Sequence, residues 1–123
     1  MWCMMNSPLL AGNDLRNMSK ETIEILSNKE LIAINQDITF VQAQRMLKEN
    51  DVEVWVKRLG KGKQKAIAVM NRGAKEQVFT VSAAKLNISK NSKLRDLWLH
   101  KDLGKIGKMC IRDRIGALQL LIL

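Results

Sequence analysis

The polar residues best placed to do chemistry are Asn13 and Asp14, which directly follow the apolar run 8–11. A carboxylate and an amide at the end of a strand can serve a site, or they can form a turn through local hydrogen bonds. We favour the turn, because Gly12 precedes them. His100, the single histidine, has no partner nearby in the sequence for general base catalysis. We therefore expect it at the surface or in a domain contact.

Trp55 and Trp98 are the aromatic candidates, because flat aromatic rings can stack on the apolar faces of sugars. Trp55 alternates with Val54 and Val56, so it lies on the opposite face of the strand that they predict. For Trp55 we favour packing between domains over sugar stacking.

A basic run is the candidate for nucleic-acid binding, because closely spaced cations can follow a phosphate backbone. Against it, the sequence has no recognition helix, no aromatic stacking ladder and no tyrosine. We expect a solvated hairpin tip and no nucleic-acid partner. The run consists of Lys57, Arg58, Lys61, Lys63 and Lys65.

Two cysteines, Cys3 and Cys110, and one histidine are too few for a structural zinc site or a disulfide framework. We expect no metal and no cofactor. We expect no secretory signal, since the first residues lack a basic region, and no membrane association, since no run approaches about 18 apolar residues.

The N-terminal third predicts a short strand and two capped helices. The apolar run 8–11, bounded by Pro8 and a Gly-Asn-Asp turn, predicts a buried parallel strand. Ser19 predicts the start of a helix from Lys20 to about Ser27, and Asn28 the start of a second over 29–35. Residues 1–5 predict the end of a preceding helix, with Trp2 and Met5 on one face.

From residue 41 the apolar pattern changes to a period of two, which predicts an antiparallel β-sandwich. The charge changes at nearly the same place: residues 1–37 carry three basic and five acidic side chains, a net −2, and the rest carry 18 and seven, a net +11. We place a domain boundary there, giving domains 1–37 and 38–123. The predicted strands cover 52–57, 66–70, 78–82, 94–99 and 116–123, with turns at 60–63 and 71–73.

Several segments together resemble one enzyme family. They are PLLAGNDLRNMS at 8–19, EILSNKELIAINQD at 24–37, EVWVK at 53–57, NRG at 71–73 and RDLWLHKDLG at 95–104. In this order they resemble the C-terminal part of glycoside hydrolase family 27, the alpha-galactosidases and alpha-N-acetylgalactosaminidases. The resemblance implies an α+β chain: the last βα unit of a (β/α)8 TIM barrel, followed by a C-terminal antiparallel β-sandwich domain.

The resemblance implies a retaining glycosidase that acts on alpha-galactoside oligosaccharides or glycoconjugates, extracellular, periplasmic or lysosomal and able to form oligomers. Such enzymes need two carboxylates about 5 to 5.5 Å apart. In the family both are aspartates upstream of the region that residue 1 resembles, so we expect no catalytic, substrate-binding or metal-binding residue here, and no activity of this chain alone. The alternatives are a stand-alone carbohydrate-binding β module and, less favoured, a basic nucleic-acid-binding domain.

The sequence departs from the family pattern in two places. Ile38-Thr39-Phe40 stands where relatives have Pro-Leu-Gly, which affects the turn after Asp37. Residues 108–114 match nothing expected there, and we suspect a sequence artefact. Because residues 1–5 resemble the interior of a helix, we expect the chain to be part of a longer protein. Such a part would leave Leu9, Leu10, Ile23 and Leu26 without their barrel neighbours, so we expect 1–37 to be loosely held.

Overall fold

The computed structural model describes residues 1–60, 64–89, 91–106, 111–115 and 118–122. The tip of the predicted hairpin at 61–63, the suspect residues 108–110 with Cys110, and residues 116, 117 and 123 of the predicted last strand lie outside that part. The described helices and strands, in chain order, are α1 (Lys20–Leu26), α2 (Lys29–Asn35), β1 (Gln44–Glu49), β2 (Val52–Leu59), β3 (Gln64–Asn71), β4 (Gln77–Val81), a 3₁₀ helix (Ala83–Leu86), β5 (Lys93–Asp96), β6 (Lys101–Lys105), β7 (Ile111–Ile115) and β8 (Leu118–Ile122).

Both α-helices begin at the capping residues that the sequence predicts. The Ser19 hydroxyl accepts a hydrogen bond from the backbone N of Thr22 at 3.2 Å. The Asn28 side-chain oxygen accepts from the backbone N of Glu30 at 3.1 Å and of Leu31 at 3.2 Å. These bonds satisfy donors that the first turn leaves without partners. The two helices differ in burial, because α1 buries none of its residues whereas α2 buries two.

Two antiparallel sheets form the predicted sandwich. The larger sheet has the strand order β1-β2-β3-β8-β5-β6, and β4 pairs with β7 in the smaller one. Strands β2 and β3 form a hairpin whose register runs from Val52 opposite Asn71 to Leu59 opposite Gln64. Strand β8 returns to pair with both β3 and β5, which joins the two halves of the larger sheet.

The inner core lies between the sheets and follows from the alternation in β2. Val52, Val54 and Val56 point to one face and are at most 9% exposed. They pack with Ile67 and Val69 of β3. The core is closed by residues from the smaller sheet and the following segments, namely Phe79, Val81, Ala83, Leu86, Ile88 and Ile106.

The opposite face of the larger sheet is covered by residues 1–37, which we call the N-terminal segment. We call this sheet face the docking face. From the segment, Met4, Leu31 and Ile34 are at most 5% exposed. They form a second apolar cluster with sheet residues and with the connection into β1, namely Ala43, Leu59, Ala66, Ala68 and Leu97. The central strands β2 and β3 are therefore largely buried on both faces.

The predicted strand over 8–11 is wrong. These residues have no regular structure, and Leu9 and Leu10 are 40% and 81% exposed. A strand needs neighbours that pair with its backbone groups, and none of the described strands pairs with this run. Ile23 and Leu26 are each 45% exposed, so α1 also presents apolar side chains to solvent.

The predicted helix at residues 1–5 is a single turn. The backbone N of Met4 and of Met5 donate to Met1 O at 2.9 and 3.1 Å. Asn6 then has a φ of 54°, in the left-handed region, which ends helical geometry. The buried residue of the turn is Met4, at 0% exposed, whereas Trp2 is 63% exposed.

In the β region, the strands predicted from the sequence include the central strands β2 and β3, whereas the edge strands of the larger sheet are absent from the prediction. Strand β5 ends at Asp96 rather than 99, because the Asp96 side chain accepts from the backbone N of Trp98 and Leu99, each at 2.9 Å, and turns the chain. The edge strands β1 and β6 were not predicted. Strand β7, also missed, includes residues 111–114 of the segment suspected as an artefact, and it pairs with β4.

Candidate functional site

The polar centre of the docking face is Lys57, whose residue exposure is 0%. Its ammonium donates to three oxygens of the N-terminal segment. One is Cys3 O at 3.0 Å, and the others are Asn6 Oδ1 and Ile34 O. Because these acceptors come from the first turn, its left-handed end and α2, one side chain joins three parts of the segment to strand β2.

Lys57 is a buried cation held by neutral acceptors. Burial lowers the pKa of its ammonium, and the negative charge of Asp37 opposes that shift. The expectation that Lys57 belongs to a solvated basic tip is therefore wrong. Arg58 is exposed and Lys65 is half-buried, while Lys61 and Lys63 lie outside the described residues.

A second polar contact joins α2 to the hairpin of β5 and β6. Arg95 donates through Nε and Nη2 to the two carboxylate oxygens of Glu30, at 2.7 and 3.1 Å. Its Nη1 donates to Asp102 at 2.9 Å, and His100 Nδ1 lies 2.6 Å from Glu30 Oε1. The Arg95 guanidinium, followed by His100, lowers the pKa of Glu30 to about 2. His100 is thus an exposed residue that contacts the N-terminal segment, in line with the expected position at the surface or in a domain contact.

Glu30 makes the stability of the chain pH-dependent. Its carboxyl titrates at about 2 when folded and ordinarily at 4.5, so the stabilisation is present above pH 4.5 and is lost as pH falls towards 2. The full shift corresponds to about 3 kcal/mol. Solvent screening reduces this to about 1 kcal/mol, because the Glu30 side chain is 30% exposed. In urea unfolding at pH about 6 and about 2.5, wild type should lose about 1 kcal/mol more than Glu30→Gln, because other carboxyls with a lowered pKa, such as Glu53, protonate in both proteins.

Glu24→Gln is the matched control for that measurement, because Glu24 lies on the exposed helix α1. It should retain the wild-type dependence on pH. If Glu30→Gln and wild type lose the same free energy of unfolding on acidification, the pairing of Glu30 with Arg95 does not stabilise the fold.

The third polar contact surrounds Glu53, which is 1% exposed. Its carboxylate accepts from Trp55 Nε1 at 3.0 Å and from Arg45 Nη1 at 3.3 Å, and Arg72 Nη1 lies 3.6 Å away. Burial raises the pKa of Glu53, but the Trp55 N–H and the cations Arg45 and Arg72 outweigh it and leave the pKa lowered. The carboxylate is therefore ionised and fully engaged within the chain.

The structure does not bring the predicted candidates together in one site. Asp14 accepts from the backbone N and the Nε of Arg16 at 3.0 and 3.1 Å, which is the local turn that the sequence favoured. Trp55 and Trp98 are each half-buried and pack against the second apolar cluster. The exposed tryptophan pair that a carbohydrate-binding module needs is not formed by these two residues.

The part of the chain that the structure describes has neither a cluster of metal-ligating side chains nor a helix that could cross a membrane. The described His, Cys, Asp and Glu side chains form no group of three or more that could hold a metal ion. Neither described α-helix has the length and apolar character that a membrane span requires.

The sequence did not identify four polar contact residues, of which Lys57 and Glu53 are buried and Glu30 and Arg95 are half-buried. The local indication was a charged residue at positions 53 and 57 of the predicted strand 52–57, whose other residues are apolar. The partners are distant in the sequence. Arg95 lies 65 residues from Glu30, and Lys57 lies 51 residues from Asn6 and 54 residues from Cys3. Local patterns do not reveal such pairs.

Two family models match this chain. One, described as the alpha galactosidase C-terminal beta sandwich domain, matches residues 49–118, and the other, described as alpha galactosidase A, matches residues 1–37. The first model alone covers more than half of the chain. The chain belongs to glycoside hydrolase family 27, the alpha-galactosidase family. The resemblance drawn from the sequence is confirmed.

Members of the alpha-galactosidase family align with nearly the whole chain. Alpha-galactosidase 2 of Arabidopsis thaliana is 39% identical over 95% of the chain and 28% of its own length. A putative alpha-galactosidase/melibiase from Bacteroides fragilis superposes with a TM-score of 0.87 at 35% identity, over 98% of this chain and 26% of its own. A β-L-arabinopyranosidase of the same family from Geobacillus stearothermophilus superposes with a TM-score of 0.84 at 28% identity. The superposition covers 98% of this chain and 27% of the arabinopyranosidase.

The chain thus spans about a quarter of the length of the family members that it matches. It corresponds to the C-terminal region of these TIM-barrel enzymes, with the β-sandwich domain that the fold prediction named.

Proposed function

We propose that this chain is the C-terminal, structural part of a retaining alpha-galactosidase-type hydrolase whose parent cleaves terminal alpha-galactosides. Residues 1–37 end the catalytic barrel, and residues 38–123 form a β domain that supports it. The chain alone holds neither catalytic aspartate and has no hydrolase activity. The observation that carries the proposal is the docking face, where Lys57 binds three parts of the N-terminal segment.

The buried ionisable groups of the chain support this structural role. Lys57, Glu53 and Asp96 are at most 4% exposed, and each is bonded to groups of its own chain. A general acid or base needs a lone pair or proton directed at a substrate. Groups that are engaged in this way fix geometry instead, so they suit a supporting domain.

The comparisons support assigning the sugar preference to the rest of the parent enzyme. The same C-terminal architecture occurs in a protein named as an alpha-galactosidase/melibiase and in one named as a β-L-arabinopyranosidase. A region that is shared by enzymes for different sugars is unsuited to select between them.

A nitrophenyl alpha-galactoside assay tests the proposal. The purified chain should release no nitrophenol above the buffer control, because retaining hydrolysis needs two carboxylates on either side of the glycosidic bond. If nitrophenol-releasing activity co-purifies with the chain through two different columns, the chain carries its own active site.

A chimeric enzyme tests in the same assay whether the chain can support a catalytic barrel. In it, this chain replaces the corresponding C-terminal region of the Arabidopsis alpha-galactosidase 2. The chimera should hydrolyse the substrate, whereas the Arabidopsis protein truncated before that region should be inactive or insoluble. A truncated protein that is as active and as stable as the full-length one would show that the region does not support the barrel.

A further inference from the structure

A separate hollow lies on the inner-core side of the larger sheet, away from the docking face. It has a volume of about 650 Å³ and is bounded by β1, β2, β3 and the end of the 3₁₀ helix. Its accessible apolar lining consists of Val41 and Met46, which are exposed, above the buried residues Val56 and Leu86. Its rim carries the exposed amide side chains of Gln42, Gln44 and Asn87. Such a combination of apolar surface and a few polar groups is typical of a small-molecule site.

Two cations face each other at this hollow. Arg58 on β2 lies directly opposite Lys65 on β3 in the strand register, and both line the hollow. Like charges at directly opposite positions destabilise a sheet. No acidic side chain occurs among the described lining residues, and Arg58 forms no ion pair with any carboxylate in the described ranges. The local charge is therefore uncompensated.

Lys65 is held in place beside Arg58 by the 3₁₀ helix. Its ammonium donates to the backbone oxygens of Leu86, at 3.4 Å, and of Asn87. An ammonium has three donors, so one is left for a ligand. Both acceptors are neutral and leave the positive charge in place.

We propose that this hollow binds a single oxyanion group, either a free anion or a sulfate or phosphate carried on a saccharide. Arg58 pairs with the anion through its guanidinium, because its planar donors match two oxygens of such a group. Lys65 supplies the second charge. The amides of Gln44 and Asn87 are suited to sugar hydroxyls, and the apolar lining is suited to one face of a sugar ring. The Gln42 amide nitrogen donates instead to Met5 O at 3.1 Å. The site is separate from the structural role proposed above and does not depend on it.

Calorimetric or NMR titration of the full chain with galactose 6-sulfate, inorganic sulfate and unmodified galactose tests the site. The two anions should bind saturably, and galactose much more weakly. Arg58→Gln should weaken binding of both anions about tenfold, because it removes a charge-assisted contact. Lys75→Gln, which removes an exposed cation elsewhere, should change the affinity less than about twofold.

The two anions distinguish the two sources of the group. Tighter binding of galactose 6-sulfate than of sulfate assigns the hollow to a sulfated or phosphorylated saccharide, and equal binding assigns it to a free anion. Absence of saturable binding, or equal weakening in Arg58→Gln and Lys75→Gln, would overturn the site. A short oligonucleotide serves as a further probe. If it binds, and if Arg58→Gln and Lys75→Gln weaken its binding equally, the chain attracts anions by its general charge and the proposed site is wrong. Unchanged amide spectra of both variants exclude misfolding as the cause.

Discussion

In the Lys57→Met variant, the N-terminal segment should unfold from the sheet with a free energy about 2–3 kcal/mol lower than in wild type. Methionine preserves the volume of the side chain and removes its three donors, so the oxygens of Cys3, Asn6 and Ile34 lose their common partner. A buried acceptor without a donor costs about 1–3 kcal/mol. Three acceptors lose their donor, and removal of the buried positive charge offsets part of the resulting cost. The net loss is therefore about 2–3 kcal/mol.

The loss should be confined to the N-terminal segment. The inner core of Val54, Ile67 and Phe79 lies on the other side of the sheet and does not contact Lys57. Amide exchange should therefore accelerate at Met4, Ser7 and in α2, while protection in β2 and β3 stays close to wild type. Urea unfolding together with native-state amide exchange measures both quantities.

Lys93→Met is the matched control, since Lys93 is an exposed lysine on β5 of the same sheet. Its unfolding free energy should stay within about 0.5 kcal/mol of wild type. If the two variants lose the same stability, or if Lys57→Met loses protection uniformly, the ammonium does not join the segment to the sheet.

Lys57 also shows where prediction from the sequence reached its limit. Alternation in β2 correctly placed Val54 inward and Lys57 on the opposite face. It also favoured packing between domains at Trp55 on that face. It could not show that Lys57 is covered as well, because the cover is formed by residues 1–37, far away in the chain. The same limit applies to Leu10. Its apolar run predicts a buried strand, but burial needs neighbouring strands that pair with it, and a local pattern says nothing about these.

The features that were predicted well depend on short-range interactions. Ser19 and Asn28 cap helices through bonds to residues two or three positions away, so a window of a few residues contains the cause. The missed strands β1 and β6 are the edges of the larger sheet. All five residues of β6 are exposed, and the register of β1 is interrupted near Met46. Neither has the alternating burial that identifies a strand.

Asn28 combines a local and a distant interaction, and the Asn28→Ala variant should lower the free energy of unfolding by about 2–4 kcal/mol. Its side-chain oxygen caps α2, and its amide nitrogen donates to Leu97 O at 3.0 Å. Loss of a cap costs about 1 kcal/mol, and the buried Leu97 oxygen left without a donor costs about 1–3 kcal/mol more. Chemical denaturation of the full chain measures the combined loss from the helix cap and from the bond to Leu97.

Ser19→Ala provides the comparison that separates the two parts. Ser19 caps α1 by the same kind of bond, but it is exposed and α1 buries no residue. Its loss should therefore fray α1 and change global unfolding by less than about 1 kcal/mol. Equal effects of the two substitutions would mean that the bond from Asn28 to Leu97 adds nothing. A clearly larger effect of Asn28→Ala shows that the bond to Leu97, in the turn after β5, helps to fix the start of α2.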